Sequence, residues 1–452
     1  MRRFVTESVP VYGGRSFEIN EMLATKMLSV RHETEPYQIH TPKYRHYQYE
    51  IERYWHYFQV WGRIAYNPDT NSELWEPDFK LRFGEEAGPH VMHALHRASE
   101  VLPRIVASSS RYLYFPVTRG WAAMMRLGDL PVYAEDSGTD TEQFQSFPAA
   151  ADHALSGGTT AVITPQQTAA WFRKTASFIL DEVELAENLA DPRDQDSQSE
   201  LEATLVDLRI LAALAEYHAA RIPAALWYNV YRKTSDQFAL DQAVAGESAA
   251  IDAWRKIVAA ADEVYGEHLR FGSRPINPDE AEPYLVNGKP WPESYPRAFP
   301  ENWSEELAKL EEGLTEIKTL NGKDTLDDAT RAALLDRMNP RPRSPISVEL
   351  LETGPATVDQ DLRVEVKVPD PGKIETMRLG FRHLTQFEDY QSKEMIWDPT
   401  SSSFAATIPG EFIDAGWDLM YFVELIDTEG LGAKIPDMSK ELPYVIVPVK
   451  RD

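Results

Sequence analysis

Glu18 and Glu21 stand where paired carboxylates could do acid–base work, in the stretch SFEINEML directly after the Gly13-Gly14 turn. If that stretch is a strand end, Glu18 and Asn20 face one way and can meet a ligand, because side chains alternate along a strand. General acid–base chemistry needs the two carboxyl groups at a set separation, and sequence does not carry that distance. The competing reading is a pair of ordinary capping or buried polar groups. His90, His93 and His96 recur every third residue. The first two could approach one metal ion, while the third is turned away from the first, and helical histidine sites also need a carboxylate and a second element. A solvated or capping histidine face is the simpler reading, and no metal or cofactor is expected. His46 and His56 fall among aromatic residues and read as hydrogen-bonded structural histidines.

Other chemistries lack their signatures. There is no cysteine, hence no disulfide and no thiolate nucleophile or ligand. Neither G-x-S-x-G nor G-x-x-x-x-G-K-[ST] occurs, and Ser156-Gly157-Gly158-Thr159-Thr160 reads as a flexible loop. The formal net charge of −26 suits neither nucleic acid nor an anionic membrane, both of which ask for basic surface. Sugar polymers and neutral or cationic small molecules stay open as ligands.

The elements that must position such groups begin with the stretch TPKYRHYQYEIERYWHYFQVWGRIAYN, residues 41–67. Between Tyr44 and Trp61 it holds eight aromatic residues in eighteen positions. Thr41 and Pro42 open it as a helix, and its aromatics cover most of the helix circumference, which predicts an enclosed central post with Tyr54 and Phe58 buried. Tryptophan and tyrosine faces also stack on sugar rings, and arginine and carboxylate groups bind hydroxyls, so Arg45, Arg53 and Trp55 are candidate substrate contacts. Core packing is the competing role for the same aromatics.

Along the rest of the chain, residues 72–84 predict a short helix ended by Gly84. Residues 89–108 predict another, with Val91, Leu95, Ala98, Leu102 and Ile105 on one face. Thr164-Pro165-Gln166-Gln167 is a capping box that opens a long helix. Leu201, Leu205, Leu208, Leu211 and Ala215 mark a second, which Pro223 should bend before it ends near Lys233. Residues 238–265, closed by Gly266, make a third. Seven prolines between residues 267 and 303 predict an extended strap, and helices over 304–321 and 325–337 follow. From Ile346 the pattern turns to period two: Leu362/Val364/Val366/Val368, Met377/Leu379/Phe381 and Leu419/Tyr421/Val423/Leu425 are separated by Pro- and Gly-rich turns. That predicts a small antiparallel sandwich of immunoglobulin or fibronectin III type.

The fold class expected is therefore multidomain and mainly α, a helical bundle with a C-terminal all-β sandwich. Its divisions are 1–160, a helical region; 161–266, the long-helix bundle; 267–343, the strap and short helices; and 344–452, the sandwich. The opening MRRFVTESVPVYGG has no apolar core of a signal peptide. The compartment is left open: a cytoplasmic protein is expected from the chain as written, and an exported one if it is part of a longer protein.

The segment YWHYFQVWGRIAYNPDTNSELW…FKLRFG resembles the helical region that follows the catalytic barrel in α-glucuronidase-like glycoside hydrolases. In those proteins a turn like Gly62-Arg63-Ile64-Ala65-Tyr66-Asn67-Pro68 joins two helices. By the same resemblance GGRSFEINE, residues 13–21, looks like the last barrel strand and its exit loop, and the C-terminal WDLMYFVELIDTEGLGAKIPD looks like an appended sandwich. The resemblance implies a carbohydrate-active protein, the accessory or C-terminal portion of a glycoside hydrolase acting on polysaccharide, completed by a catalytic barrel encoded upstream. It also implies that Glu18, Asn20, Glu21, Arg45 and Arg53 border an active site whose acid and base lie elsewhere, so that the isolated chain is inactive. A non-catalytic scaffold that binds protein or glycan through bundle and sandwich is the alternative.

Overall fold

The computed structural model describes residue 2, residues 4–9, 40–109, 129–135, 137–265 and 302–451, and the backbone of four two-residue strands between 268 and 300. In chain order its helices are Glu50–Arg53 (α1), Trp55–Tyr66 (α2), Glu76–Phe83 (α3), Ala87–Ala98 (α4), Val101–Ser108 (α5), Leu130–Glu135 (α6), Phe147–Ser156 (α7), Pro165–Asn188 (α8), Gln195–Thr234 (α9), Gln237–Ala261 (α10), Asn302–Lys318 (α11) and Asp328–Arg337 (α12).

α9 is the true centre. At 40 residues it is about 60 Å long, and it runs on through Pro223 to a left-handed cap at Ser235. Asp194 starts it by accepting the Ser197 N–H at 2.8 Å. Leu201, Leu205, Leu208, Ala212, Ala215, Ala219, Ile222 and Leu226 are buried along it, and so are Tyr217, Ala224 and Ala225 on other faces. A helix enclosed on most sides needs neighbours on most sides. α8 and α10 supply them, and small residues let the backbones close up: a Cβ on Gly246 of α10 would lie 2.9 Å from that of Ala224. α8 opens with the expected capping box, Gln167 N–H to Thr164 Oγ1 at 3.2 Å and Thr164 N–H to Gln167 Oε1 at 3.0 Å. One apolar cluster runs from Ile64 to Leu334 through these helices.

The aromatic stretch is not a central post. Residues 41–67 form a short 3-10 turn at Pro42–Tyr44, then α1, then α2. Side chains there take up the backbone groups that a continuous helix would use: the Gln48 and Tyr49 N–H groups donate to Glu52 Oε2 at 2.6 and 3.0 Å, and the Arg45 Nε donates to the His40 carbonyl at 2.9 Å. Tyr54 is half-buried, Phe58 is 46% exposed and Tyr66 is 94% exposed. Tyr44 is buried, and the other buried aromatics of this layer include Trp75, Phe79 and Phe83, at and after the start of α3. Phe58→Ala is therefore expected to cost less than about 1 kcal/mol in denaturant melts; a loss of core size would restore the enclosed post. Residues 89–108 also divide, into α4 and α5. In a continuous helix Pro103 would clash with the carbonyl a turn earlier, and the Ser99 hydroxyl donates to the His96 carbonyl at 2.7 Å. The stop expected at Gly266 lies outside the described residues.

Within the proline-rich strap the described backbone pairs His268–Leu269 (β1) with Phe299–Pro300 (β4) and Leu285–Val286 (β2) with Lys289–Pro290 (β3). The sandwich then follows: Glu349–Leu350 (β5), Ala356–Thr357 (β6), Leu362–Lys367 (β7), Ile374–His383 (β8), Gln391–Glu394 (β9), Ile396–Asp398 (β10), Ser403–Ile408 (β11), Leu419–Asp427 (β12), Gly432–Ile435 (β13), Val445–Val447 (β14) and Val449–Lys450 (β15). One sheet has the order β10-β11-β7-β5, the other β13-β12-β8-β9 with β14 also on β12. These pairs are antiparallel, and the short β15 pairs β6 in parallel. Val364 and Val366 face Leu379, Phe381, Val423 and Leu425 in a second apolar cluster, on the alternate positions that period two singled out.

Sandwich and bundle touch through polar groups. Gly432 packs so closely that a Cβ there would meet the Thr160 carbonyl at 1.9 Å, and Arg343 Nη2 donates to the Ala161 carbonyl at 3.0 Å. Lys434, 3% exposed, donates to the Glu142 carbonyl at 2.5 Å and lies 3.4 Å above the Phe422 ring. Burial lowers its pKa to about 8, against the pull of Glu424, Asp140 and Glu142, with Arg343 adding to the lowering. Because the folded value lies below the ordinary 10.5, the folded protein releases this proton first, and stability is expected to rise between pH 8 and 10.5. Lys434→Met should flatten that rise in thermal melts and leave neutral-pH stability within about 1 kcal/mol or higher. An unchanged slope would mean that Lys434 is hydrated.

Candidate functional site

Glu18, Asn20 and Glu21 lie outside the described residues. Arg45, Arg53 and Trp55 lie in the N-terminal layer, which covers the first half of α9. The chain enters this layer at His40, which bridges Tyr265, and the Thr41 N–H donates to the Val264 carbonyl at 2.9 Å.

Trp55 is engaged on two sides. Its indole N–H donates to Glu200 Oε1 at 2.7 Å, Arg82 Nη1 donates to Glu200 Oε2 at 2.6 Å, and the Arg82 guanidinium lies 4.5 Å over the indole ring. Glu200 is buried with both oxygens occupied. Arg53 sits differently. Its guanidinium is 4.9 Å over the Tyr54 ring and 5.7 Å from the Tyr47 ring, and its Nη1 is buried with no hydrogen-bond partner. Asp207 stands nearby and accepts a short hydrogen bond from the Tyr265 hydroxyl. Burial pushes the Asp207 carboxyl up, while Arg53 and the Tyr265 hydroxyl pull it back. His40, 1% exposed, has no ring hydrogen bond of good geometry, and burial together with Arg53 and His46 lowers it to about 3 against the opposing pull of the Tyr44 backbone.

The structure thus brings Arg53 next to Asp207, and Trp55 next to Glu200. Sequence reading missed both acids. They are seven residues apart on α9, a rise of about 10 Å, and flank its leucine stripe. That placement was the available signal, but an acid beside an apolar stripe usually marks its edge. Arg45 contributes its bond to His40 and otherwise faces solvent.

The histidines are paired with protein groups. His56 Nε2 and His96 Nε2 share a hydrogen bond of 2.8 Å with stacked rings, so His56 is structural as expected. His90 Nδ1 is 2.8 Å from Glu182 Oε2, and His93 Nδ1 is 3.7 Å from the same oxygen. Among the described residues no three His, Cys, Asp or Glu side chains converge as metal ligands would.

Among the described residues of this layer no free acid–base pair is assembled. Unused hydrogen-bonding capacity remains on Arg53 and His40, against the aromatic walls of Tyr47, Tyr54 and Tyr265, and such a wall suits hydroxyl-rich ligands. A polar cavity of about 140 Å³ elsewhere, at the bundle–sandwich junction beside His153, Gln167 and Arg337, has no tyrosine, tryptophan or phenylalanine face to stack on.

No protein-family model matches the chain, and no curated protein matches it. Among solved structures it is similar to a GH138 enzyme targeting pectin rhamnogalacturonan II, with 15% identity and a TM-score of 0.45, over 60% of this chain and 38% of that one. The chain spans well under half the length of that enzyme. A likeness of this extent concerns the chain path alone.

Proposed function

We propose that this chain is a carbohydrate-active protein, the accessory or C-terminal portion of a glycoside hydrolase acting on polysaccharide, in which the layer around Arg53 contacts sugar. The observation that carries the reading is Arg53 itself. It has a buried, unpartnered Nη1 on tyrosine rings, beside the buried His40. Buried donors left without partners are costly, and a ligand hydroxyl relieves that cost. Glu18, Asn20, Glu21, Arg45 and Trp55 complete the proposed border, and a barrel encoded upstream supplies the acid and base. In this reading the divisions fall at residues 160, 266 and 343, and the sandwich is of immunoglobulin or fibronectin III type.

Calorimetry on the full chain with neutral and uronic-acid oligosaccharides is expected to show weak binding, reduced about tenfold by Arg53→Ala. Aryl glycosides and the same oligosaccharides should not be turned over. Robust turnover lost in Glu18→Gln or Glu21→Gln would make the chain a complete enzyme and overturn the accessory role. The scaffold alternative draws on the exposed Tyr49, Ile51, Phe58 and Tyr66 of the N-terminal layer. It takes the lead if no oligosaccharide binds.

A further inference from the structure

One end of the sandwich holds two aromatic side chains out to solvent on loops that are tied down from beneath. Phe387, 88% exposed, lies between β8 and β9, and Trp417, 47% exposed, lies just before β12. The loops are neighbours, since His383 pairs with Leu419 and the Leu384 N–H donates to the Asp418 carbonyl at 2.7 Å. Buried His383 braces both. Its Nδ1 is 2.8 Å from Glu388 Oε2, its Nε2 is 2.8 Å from the Phe412 carbonyl, and its ring stacks on Phe412 at 4.2 Å. Arg382 Nη1 donates to the Glu388 carbonyl at 2.9 Å, and Arg451 ties Ala415 and Asp418 at 3.0 and 2.8 Å.

A loop that orders only on binding does so at an entropic cost. These loops are already hydrogen-bonded in place, and both rings stand exposed. In sequence each ring is flanked by polar residues, Gln386, Glu388 and Asp389 beside Phe387, and Asp414 and Asp418 beside Trp417. Protein-binding patches instead have a contiguous apolar centre. We propose that this end of the sandwich binds a neutral polysaccharide chain. Trp417 and Phe387 stack on sugar faces, and the exposed carboxylates of Asp389 and Asp414 accept hydrogen bonds from sugar hydroxyls. The acidic rim on a chain of net charge −26 turns away acidic polymers. The ligand class rests on the carbohydrate reading of the chain, but the residues are separate from those around Arg53.

The full chain is titrated with cellohexaose, xylohexaose and mannohexaose, with polygalacturonate and decalysine as contrasts. At least one neutral hexasaccharide is expected to bind. Trp417→Ala and Phe387→Ala should each weaken it about tenfold. Both rings are exposed, and unchanged circular dichroism and melting would confirm that the variants fold. The proposal is overturned if no neutral hexasaccharide binds, if polygalacturonate or decalysine is preferred, or if both aromatic variants bind as before. Binding that falls only with Arg53→Ala overturns it too and leaves the Arg53 reading standing. Binding lost only in the aromatic variants supports it and counts against the Arg53 layer.

Discussion

Glu247→Gln is expected to lower the free energy of unfolding by about 3–5 kcal/mol in urea melts. Glu247 on α10 faces Arg221 on α9 in a two-pronged ion pair, Nε to Oε2 at 3.0 Å and Nη2 to Oε1 at 2.9 Å, with both side chains buried. Tyr217 accepts a further short hydrogen bond from Arg221, and the guanidinium lies 4.7 Å from the Tyr133 ring. Burial pushes the Glu247 carboxyl up and Arg221 pulls it back. Neutralising Glu247 leaves a guanidinium in the core without its counter-charge, and that is the source of the cost. Replacing both partners, Arg221→Met with Glu247→Leu, removes both charges and should recover most of the loss. If Glu247→Gln costs less than about 1 kcal/mol, water reaches the pair and the bundle core is looser than it looks.

Acidification from pH 6.5 to 4 is expected to loosen the N-terminal layer from α9, by on the order of 3 kcal/mol. Burial, with Arg53 and His46 adding to it, lowers His40 to about 3; burial and His96 lower His56 to about 4. His46 and His96 are lowered as well, both chiefly by burial. Around them stand Arg53, Arg45, Arg82 and His93, all of which oppose a further positive charge, and Glu200, which favours one on His46. Because the folded values lie below the ordinary 6.5, the unfolded chain takes up these protons first. The stability is present above pH 6.5 and is lost as pH falls through about 4. The figure is kept below the full linkage value because His56 is partly exposed. Trp55 and Trp75 adjoin His56, with ring centroids at 5.3 and 6.0 Å, so tryptophan fluorescence should report the change. A His40→Phe/His56→Phe double variant should show a shallower acid slope. The same slope in both proteins would locate the acid sensitivity elsewhere.

The long helices were legible because their signals are local. The capping box at Thr164 and Gln167, the leucines every third or fourth residue after Leu201, and the alternation of Leu362, Val364 and Val366 each specify backbone geometry within a few residues. The sandwich was legible for the same reason, its strands being bounded by Pro- and Gly-rich turns. The aromatic stretch misled because aromatics all round a helix do not say which face is covered. Burial there was settled by Trp75 and Phe79, which pack behind α2 and leave Phe58 in solvent.

By itself, then, the sequence determined the long helices, the sandwich strands and their order, since hydrophobic period, caps and turn residues act between near neighbours. Tertiary structure alone decided the partners: Arg53 beside Asp207, Trp55 on Glu200, His56 on His96, Lys434 on Glu142, and the two aromatic loops held over His383. Each of these depends on how separate elements dock, and docking follows the summed packing of many side chains rather than the preference of any one of them.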